Sequence, residues 1–271
     1  MYEVRSAGVK GLGVFANALI PRGTRIFSER PLLAVRRDEN AAHIYAAFWL
    51  LSVEDRAKLM GLSHHATKES LIIRWSQAIK YTVTQTVSGI LGSIGSPGGG
   101  GPAFPGLKLR DHVKVISIFR SNSFNLGSSS LFQQALFPSI ARINHSCIPN
   151  AQGNFHEAMG KFNIHATRDI KEDEELTINY LHEHGAVRES RQARLLDGYG
   201  FSCDCPACDL TLEKGREGEQ GRFEMQKALG EYAERMANGG VEDPEKELEM
   251  IRQFIQLLER DGIAGRELST L

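Results

Sequence analysis

The sequence lacks several features that would each indicate a particular class of protein. It has no apolar run of about 18 residues, so we expect no membrane-spanning helix. Its 32 basic and 33 acidic residues leave a net charge of −1, so no overall basic field favours DNA or RNA as a partner. The first residues, Met1 to Arg5, lack the apolar core of a signal peptide, so we expect an intracellular protein of the nucleus or cytoplasm.

The composition is that of an ordinary globular protein, with 41% hydrophobic and 24% charged residues over 271 positions. Residues 1–37 and 112–182 carry short apolar and β-branched runs broken by turns, which predicts short strands. Residues 38–111 predict a helical insert, because His43 to Leu51 is nearly all apolar and free of glycine and proline. The insert ends in a stretch rich in glycine, serine and proline at 88–106, which is typical of a flexible loop.

The C-terminal third is predicted to be mostly helical. Residues 183–202 indicate a helix that Gly198 and Gly200 end. Residues 211–271 have helical composition and an excess of acidic side chains, which predicts a helical tail. An apolar stripe on this tail, expected to pack on the body, has helical spacing: Leu248, Ile251, Ile255 and Leu258.

The four cysteines are distributed in a way that favours a metal site. Cys203, Cys205 and Cys208 are spaced C-x-C-x2-C, and the only other cysteine is Cys147. In a reducing compartment, clustered thiols are metal ligands more often than disulfides. Zinc takes four tetrahedral ligands, so the count closes when Cys147 joins the trio. The alternative is that all four cysteines are free thiols and that their arrangement is a coincidence.

Two further segments concentrate residue types that carry chemistry. One runs Arg142-Ile143-Asn144-His145-Ser146-Cys147-Ile148-Pro149-Asn150 and places asparagine, histidine and cysteine beside a rigid proline. The other runs Glu175-Leu176-Thr177-Ile178-Asn179-Tyr180, a strand pattern that ends in a tyrosine. Taken alone, the second segment would be interpreted as an ordinary core or edge strand.

With the opening Lys10-Gly11-Leu12-Gly13-Val14-Phe15-Ala16, these segments resemble, in order and spacing, the SET-domain protein-lysine methyltransferases. The sequence is most similar to the SET-and-MYND family and its fungal relatives. The resemblance covers residues 1–37 and 112–208. The sequence departs from that family in having no cysteine in 38–111, so the MYND zinc finger is absent, and in having Asp173 where the family turn has glycine. An aspartate can adopt the left-handed conformation at modest cost, so we expect the turn to survive.

The resemblance implies an α+β fold of short strands with a knot-like active site. Its parts would be the SET core in 1–37 and 112–182, the helical insert, a zinc-binding post-SET segment in 183–210 and the helical tail. Tyr180 would be the catalytic tyrosine and Tyr199 would line the lysine channel. The residues expected to bind S-adenosylmethionine are Lys10, Gly11, Leu12, Asn122, Asn144, His145 and Phe201. The four cysteines would hold a structural Zn²⁺.

The implied activity is methyl transfer from S-adenosylmethionine to the ε-amine of a lysine in a protein substrate, histone or non-histone, by a monomer. Four sulfur ligands would leave the zinc no open position, so it would not activate water. Two alternatives stay open at this point. One is a catalytically silent SET fold that binds a peptide, and the other is a zinc-stabilised interaction module, for which Asn144, His145 and Tyr180 would be coincidences.

Overall fold

A computed structural model describes residues 1–36, 41–94, 109–127, 132–181, 185–239 and 243–263, without the side chains of 41, 42 and 84–94. The described strands are β1 (Tyr2–Ser6), β2 (Leu12–Ala16), β3 (Arg25–Glu29), β4 (Leu33–Arg36), β5 (Ser123–Asn125), β6 (Phe132–Leu136), β7 (Asn144–His145), β8 (Ala151–His156), β9 (Lys161–Ala166) and β10 (Glu175–Ile178). The helices are α1 (Ala41–Leu50), α2 (Val53–Met60), α3 (Lys68–Ile94), α4 (Leu109–Asn122), α5 (Arg188–Tyr199), α6 (Glu213–Ala237) and α7 (Pro244–Arg260). None of these described helices is both long and apolar enough to cross a membrane.

The strands form three small sheets around one apolar core, as expected for an α+β SET fold. Their orders are β1-β2-β10-β7, β3-β9-β8 and β4-β6-β5. Side chains from all three sheets meet in this core, among them Val14, Phe27, Phe137 and Ile164, each at most 5% exposed. Alternation of apolar and polar residues along the strands produces this arrangement, because successive side chains point to opposite faces.

The first sheet positions the site because β10 lies between two strands that are far away in sequence. β10 pairs antiparallel with β2, through Leu176 and Val14, and parallel with β7, through Thr177 and Asn144. β10 therefore has on one side β2, which follows the glycine-containing turn at 8–11, and on the other side β7 with the Asn144-His145 dipeptide.

The turn before β10 forms as expected despite its aspartate. Asp173 has a φ of 64° and is the one non-glycine residue with positive φ among those described. Its carboxylate accepts a hydrogen bond from Arg5 Nη2 at 3.1 Å, which joins the turn to β1. An aspartate thus replaces the family glycine, with a surface hydrogen bond that favours the strained backbone.

The predicted helical insert is present and its helices begin where the sequence indicates. Ser52 caps α2 by accepting the backbone N–H of Asp55 at 3.1 Å. The insert has its own core with the β4–β6 sheet, centred on Tyr45, Leu59, Ile118 and other buried apolar side chains. Because β4 and β6 contribute to this second core, it holds the insert against their sheet.

The structure corrects three predicted boundaries. Helix α3 continues to Ile94, so the loop expected from residue 88 begins no earlier than 95, and its part at 95–106 lies outside the described residues. The segment from 112, expected to form short strands, is helical as far as Asn122, because its apolar residues face the insert core at helical spacing. Gly198 lies inside α5, and Gly200 alone ends that helix, with φ 78°.

The C-terminal tail is helical, as predicted, and the structure divides it into two helices, α6 and α7, but only part of the predicted stripe is buried. Leu248 and Ile251 are 51% and 37% exposed, whereas Met250, Leu257 and Leu258 are buried. The prediction is confirmed for Leu258 and wrong for Leu248 and Ile251, because helix periodicity defines a stripe only to within one neighbouring position and the packing partner selects the final face. A buried ion pair between Arg222 and Asp261 connects α6 to the end of α7.

Candidate active site and metal centre

One cleft of about 600 Å³ brings together residues from six separate segments of the chain. All nine residues predicted to act in catalysis or cofactor binding line it: Lys10, Gly11, Leu12, Asn122, Asn144, His145, Tyr180, Tyr199 and Phe201. Its volume falls in the range of pockets that enclose a small organic ligand. The structure thus places these residues together, while the role of each stays a prediction.

The Asn144 amide at the wall of this cleft is held in one orientation. Its Nδ2 donates to the Leu12 carbonyl at 3.1 Å and to Glu175 Oε1 at 2.7 Å. Both partners are acceptors, so the nitrogen must face them and Oδ1 must face the other way. Asn144 therefore has an oxygen acceptor left, without a partner among the described residues, which suits a cationic ligand group such as an ammonium.

Lys10 connects the glycine-containing turn to two other parts of the site. Its Nζ lies 3.7 Å from Glu175 Oε2 and 3.3 Å from Asp204 Oδ1. Burial would lower the pKa of Lys10, but the charge of Glu175 and the hydrogen bond to Asp204 outweigh burial and raise it. The lysine therefore stays charged and joins β10 to the cysteine segment across the mouth of the cleft.

The His145 ring links Tyr180 to the cysteine cluster. The backbone N–H of Tyr180 donates to His145 Nδ1 at 3.0 Å, so Nδ1 carries no proton in this contact. The proton of the neutral ring is therefore assigned to Nε2, which lies 3.4 Å from Cys147 Sγ. His145 is only 5% exposed, so both contacts form away from bulk water.

Tyr180 lies in an aromatic wall with its hydroxyl oriented by the backbone. The Tyr180 hydroxyl donates to the Ile143 carbonyl at 2.7 Å. Its ring centroid is 4.9 Å from that of Tyr199 and 6.5 Å from that of Phe201. Burial, and then the nearby Tyr199 and Glu175, raise the pKa of Tyr180 above its usual value. The hydroxyl is therefore neutral at physiological pH and can orient a neighbouring group, but it is a poor base.

Asn122 lines the cleft, but its amide nitrogen donates its hydrogen bonds to backbone carbonyls, one of them in the insert. Nδ2 donates to the Ser63 carbonyl at 2.7 Å and to the Ile118 carbonyl at 2.8 Å. The adjacent Ser121 Oγ accepts the backbone N–H of His65 at 3.1 Å. The end of α4 therefore holds the connection between α2 and α3 against the cleft.

That connection supplies residues the sequence analysis did not identify. The additional lining residues from the insert include Gly61, Ser63, His64 and His65. A Cβ on Gly200 would collide with the His65 ring, so the insert directly contacts the end of α5. The two adjacent histidines that follow the Gly61 turn were the available signal, but only the fold shows which surface they face.

The four cysteines meet as predicted. All are buried, and their four Sγ atoms lie within 4.8 Å of one another. Cys147 Sγ is 3.6 Å from Cys208 Sγ and 4.0 Å from Cys203 Sγ. Zn–S bonds of about 2.3 Å in a tetrahedron place sulfurs ~3.8 Å apart, so these separations suit zinc.

The sequence model of the SET domain matches residues 11–181, more than half of the chain. The chain belongs to the SET-domain family. A similar protein, histone-lysine N-methyltransferase set5 of Schizosaccharomyces pombe, is 26% identical over 98% of this chain and 67% of its own length. Histone-lysine N-methyltransferase ASHR1 of Arabidopsis thaliana is 37% identical over 39% of this chain and 22% of its own. Human histone-lysine N-methyltransferase SMYD3 is 36% identical over 43% and 28%.

The SET chain thus spans about two thirds of set5 but less than a third of the other two relatives. Among solved structures, Rubisco LSMT bound to AdoMet is similar with a TM-score of 0.48 and 20% identity, over 75% of this chain and 52% of that one. That likeness is too weak to bear on function.

Proposed function

We propose that this SET-domain chain is a protein-lysine N-methyltransferase that uses S-adenosylmethionine and is stabilised by one structural zinc ion. The main support is the meeting, in one cleft, of the Tyr180 aromatic wall and the Asn144 acceptor beside the N-terminal turn. The relatives set5 and SMYD3 are named as histone-lysine methyltransferases, so histone lysines are the first substrates to test.

The cleft has groups suited to both ends of the cofactor. The free acceptor of Asn144 suits the ammonium group, and Phe201 and the Lys10 stem offer apolar surface for the adenine. Bound in this way, S-adenosylmethionine would supply an electrophilic methyl group. Fixing these protein groups before binding favours catalysis, because no reorganisation of the site is needed when the substrates arrive.

The substrate lysine must react as a neutral amine, although free lysine has a pKa of about 10.4. An apolar channel disfavours the charged form and so lowers that value. Tyr180 and Tyr199 provide such a wall, with ring centroids 4.9 Å apart. The neutral Tyr180 hydroxyl, oriented by the Ile143 carbonyl, would position the amine rather than remove its proton.

The cysteine cluster fits a structural zinc through its donor set. Four buried sulfurs at tetrahedral separations leave no ligand position for water. Zinc there would hold residues 203–208 against Cys147 and so keep Tyr199 and Phe201 at the cleft. A metal with this role contributes to folding and adds no reacting group.

The test combines cofactor binding with methyl transfer. We expect calorimetry to show that the wild-type protein binds S-adenosylmethionine, that Asn144→Ala loses binding, and that the matched control Asn154→Ala, an exposed asparagine of β8, keeps it. Transfer of labelled methyl groups to recombinant histones should require Tyr180. Metal analysis should find one zinc per chain, lost in Cys205→Ser.

A folded, zinc-loaded protein that binds no cofactor would contradict the proposal and favour the silent SET fold. Cofactor binding without transfer to histones, but with transfer to lysines of other proteins, would keep the activity and change the substrate. Cofactor binding without transfer to any protein lysine tested would support a SET fold without turnover.

A further inference from the structure

Arg191 on α5 is a fully buried charged side chain beside the cysteine cluster. It is 1% exposed, and its Nη2 lies 3.7 Å from Cys208 Sγ. The same guanidinium donates to the Ala207 carbonyl at 3.2 Å and to the Ala186 carbonyl. A guanidinium buried without compensation costs several kcal/mol, so a buried arginine requires nearby acceptors or negative charge.

The cluster would supply that negative charge once it holds zinc. Four thiolates around one divalent ion carry a net charge of −2 in a region that excludes water. Two nitrogens of described side chains lie near its sulfurs: Arg191 Nη2 next to Cys208, and His145 Nε2 next to Cys147. Arg191 brings a permanent positive charge, because a guanidinium is not deprotonated in proteins.

The helical tail contacts the same arginine. Glu219 of α6 has its Oε2 3.5 Å from Arg191 Nη2, and its Oε1 accepts the backbone N–H of Arg188 at 2.6 Å. Helix α6 also packs closely on the turn after the cysteines, since a Cβ on Gly215 would collide with the Asp209 carbonyl. The tail therefore reaches the cluster indirectly, through the ion pair of Glu219 with Arg191 and through packing on the turn that follows the cysteines.

We propose that Arg191 is a positioning residue of the zinc site, which stabilises the Cys208 thiolate, and that Glu219 of the tail holds its guanidinium in place. This inference rests on the proposed structural zinc. Its consequence is that the tail controls how tightly the post-SET segment keeps its metal. Outer partners of metal ligands typically contribute 10- to 100-fold to metal affinity.

The test measures zinc release from the purified full chain to a chelating dye. Arg191→Met keeps the length of the side chain but removes its charge and donors, and we expect release about 10- to 100-fold faster than from wild type. Arg191→Lys keeps the charge and should give a smaller increase. The matched control is Arg252→Met, an exposed arginine of α7, which should release zinc at the wild-type rate.

A second readout distinguishes an effect of Arg191 on the Cys208 sulfur from a role limited to binding the Ala186 and Ala207 carbonyls. With Co²⁺ in place of zinc, the sulfur-to-metal absorption bands should shift in Arg191→Met and Glu219→Gln, because a hydrogen bond to the thiolate changes its donor strength. Wild-type release rates and unshifted bands in both variants would overturn the inference while leaving the zinc site intact. If Arg191→Met does not fold, Arg191→Lys and Glu219→Gln decide by the same criteria.

A wild-type protein that binds no zinc would overturn both the zinc site and this inference. Cofactor binding by the wild type is measured separately, so a failure of the methyltransferase proposal can be told from a failure here.

Discussion

A single methyl group added at Gly13 should weaken cofactor binding. Gly13 lies in β2, and a Cβ at this position would fall 2.6 Å from Glu175 Oε1 and 3.0 Å from Asn144 Nδ2. Its φ is not in the left-handed region, so the backbone itself tolerates alanine. The effect of Gly13→Ala therefore comes from contact alone, at the hydrogen bond that orients the Asn144 amide.

The expected magnitude follows from the bond that must lengthen. The Asn144 Nδ2 to Glu175 Oε1 distance is 2.7 Å, and a hydrogen bond to a charged group contributes about 1.5–3 kcal/mol. If the added methyl group breaks this bond and releases the amide, cofactor affinity should fall about 10- to 150-fold. Overall stability should change less, because alanine also reduces the entropy of the unfolded chain by about 0.4–1 kcal/mol.

Calorimetry with S-adenosylhomocysteine checks this, since that product binds without turnover. The matched control is Gly198→Ala in α5, where a Cβ meets nothing within 4 Å. The control should bind like the wild type and have an equal or higher thermal midpoint, because alanine favours helix over glycine. Unchanged affinity in a folded Gly13→Ala would show that the amide orientation does not matter for binding, and would refute the reasoning.

Four further predictions concern Tyr180, the pH dependence of the rate, a buried asparagine and the metal. Tyr180→Phe should reduce single-turnover methyl transfer by about 100-fold, since misplacing a reacting group by about 1 Å can cost that much. Binding measured by calorimetry should change little, and a rate near that of the wild type would remove Tyr180 from the mechanism. In a pH–rate profile, the wild-type rate should rise with pH as the substrate amine loses its proton. Because burial raises the pKa of Tyr180, ionisation of the tyrosine should cause no decrease in rate below about pH 10. Asn150→Ala removes hydrogen bonds to the Thr177 N–H (2.8 Å), the Glu175 carbonyl (2.8 Å) and Glu174 (3.2 Å). At ~1 kcal/mol for each bond, urea unfolding should show a free energy of unfolding lower by about 3 kcal/mol. A decrease under about 1 kcal/mol would contradict this. Zinc removal by a chelator should lower both the thermal midpoint and cofactor affinity, and re-addition should restore both, because the proposed metal would hold the segment that carries Phe201. Full cofactor affinity in the metal-free protein would show that the two sites are independent.

The motifs of the chain predicted residues that meet in the cleft and in the cysteine cluster, because residue types with such specific chemistry fit few arrangements. Three thiols within six residues and one more at Cys147 leave few arrangements other than a four-sulfur cluster, and the structure brings them together. The aromatic and polar residues around Tyr180 were predicted by resemblance, and they do share one cleft. Asp173 is a smaller example. The resemblance places it where the family turn has glycine, so a left-handed backbone was expected there, and its φ is 64°.

Contacts between residues far apart in sequence were not predictable from local pattern. Glu175 was part of a strand motif, and only the pairing of β10 with β2 and β7 makes it the partner of both Asn144 and Lys10. His65 belongs to the insert, whose helical content was evident but whose contact with Gly200 was not. Arg191 was one of several arginines on a predicted helix, and periodicity does not say which of them faces the cysteines.

The sequence by itself determined the SET-domain family, the helical insert, the helical character of the tail and the set of four cysteines, because these depend on residue type, spacing and local backbone preference. The tertiary structure alone decided the orientation of the Asn144 amide, the closing of the cleft by the insert and the connection from Glu219 through Arg191 to the cysteines. Each of these depends on contacts between residues separated along the chain, by 31 positions for Asn144 and Glu175 and by 17 for Arg191 and Cys208, so the packing of the cores, rather than any local pattern, sets the distances.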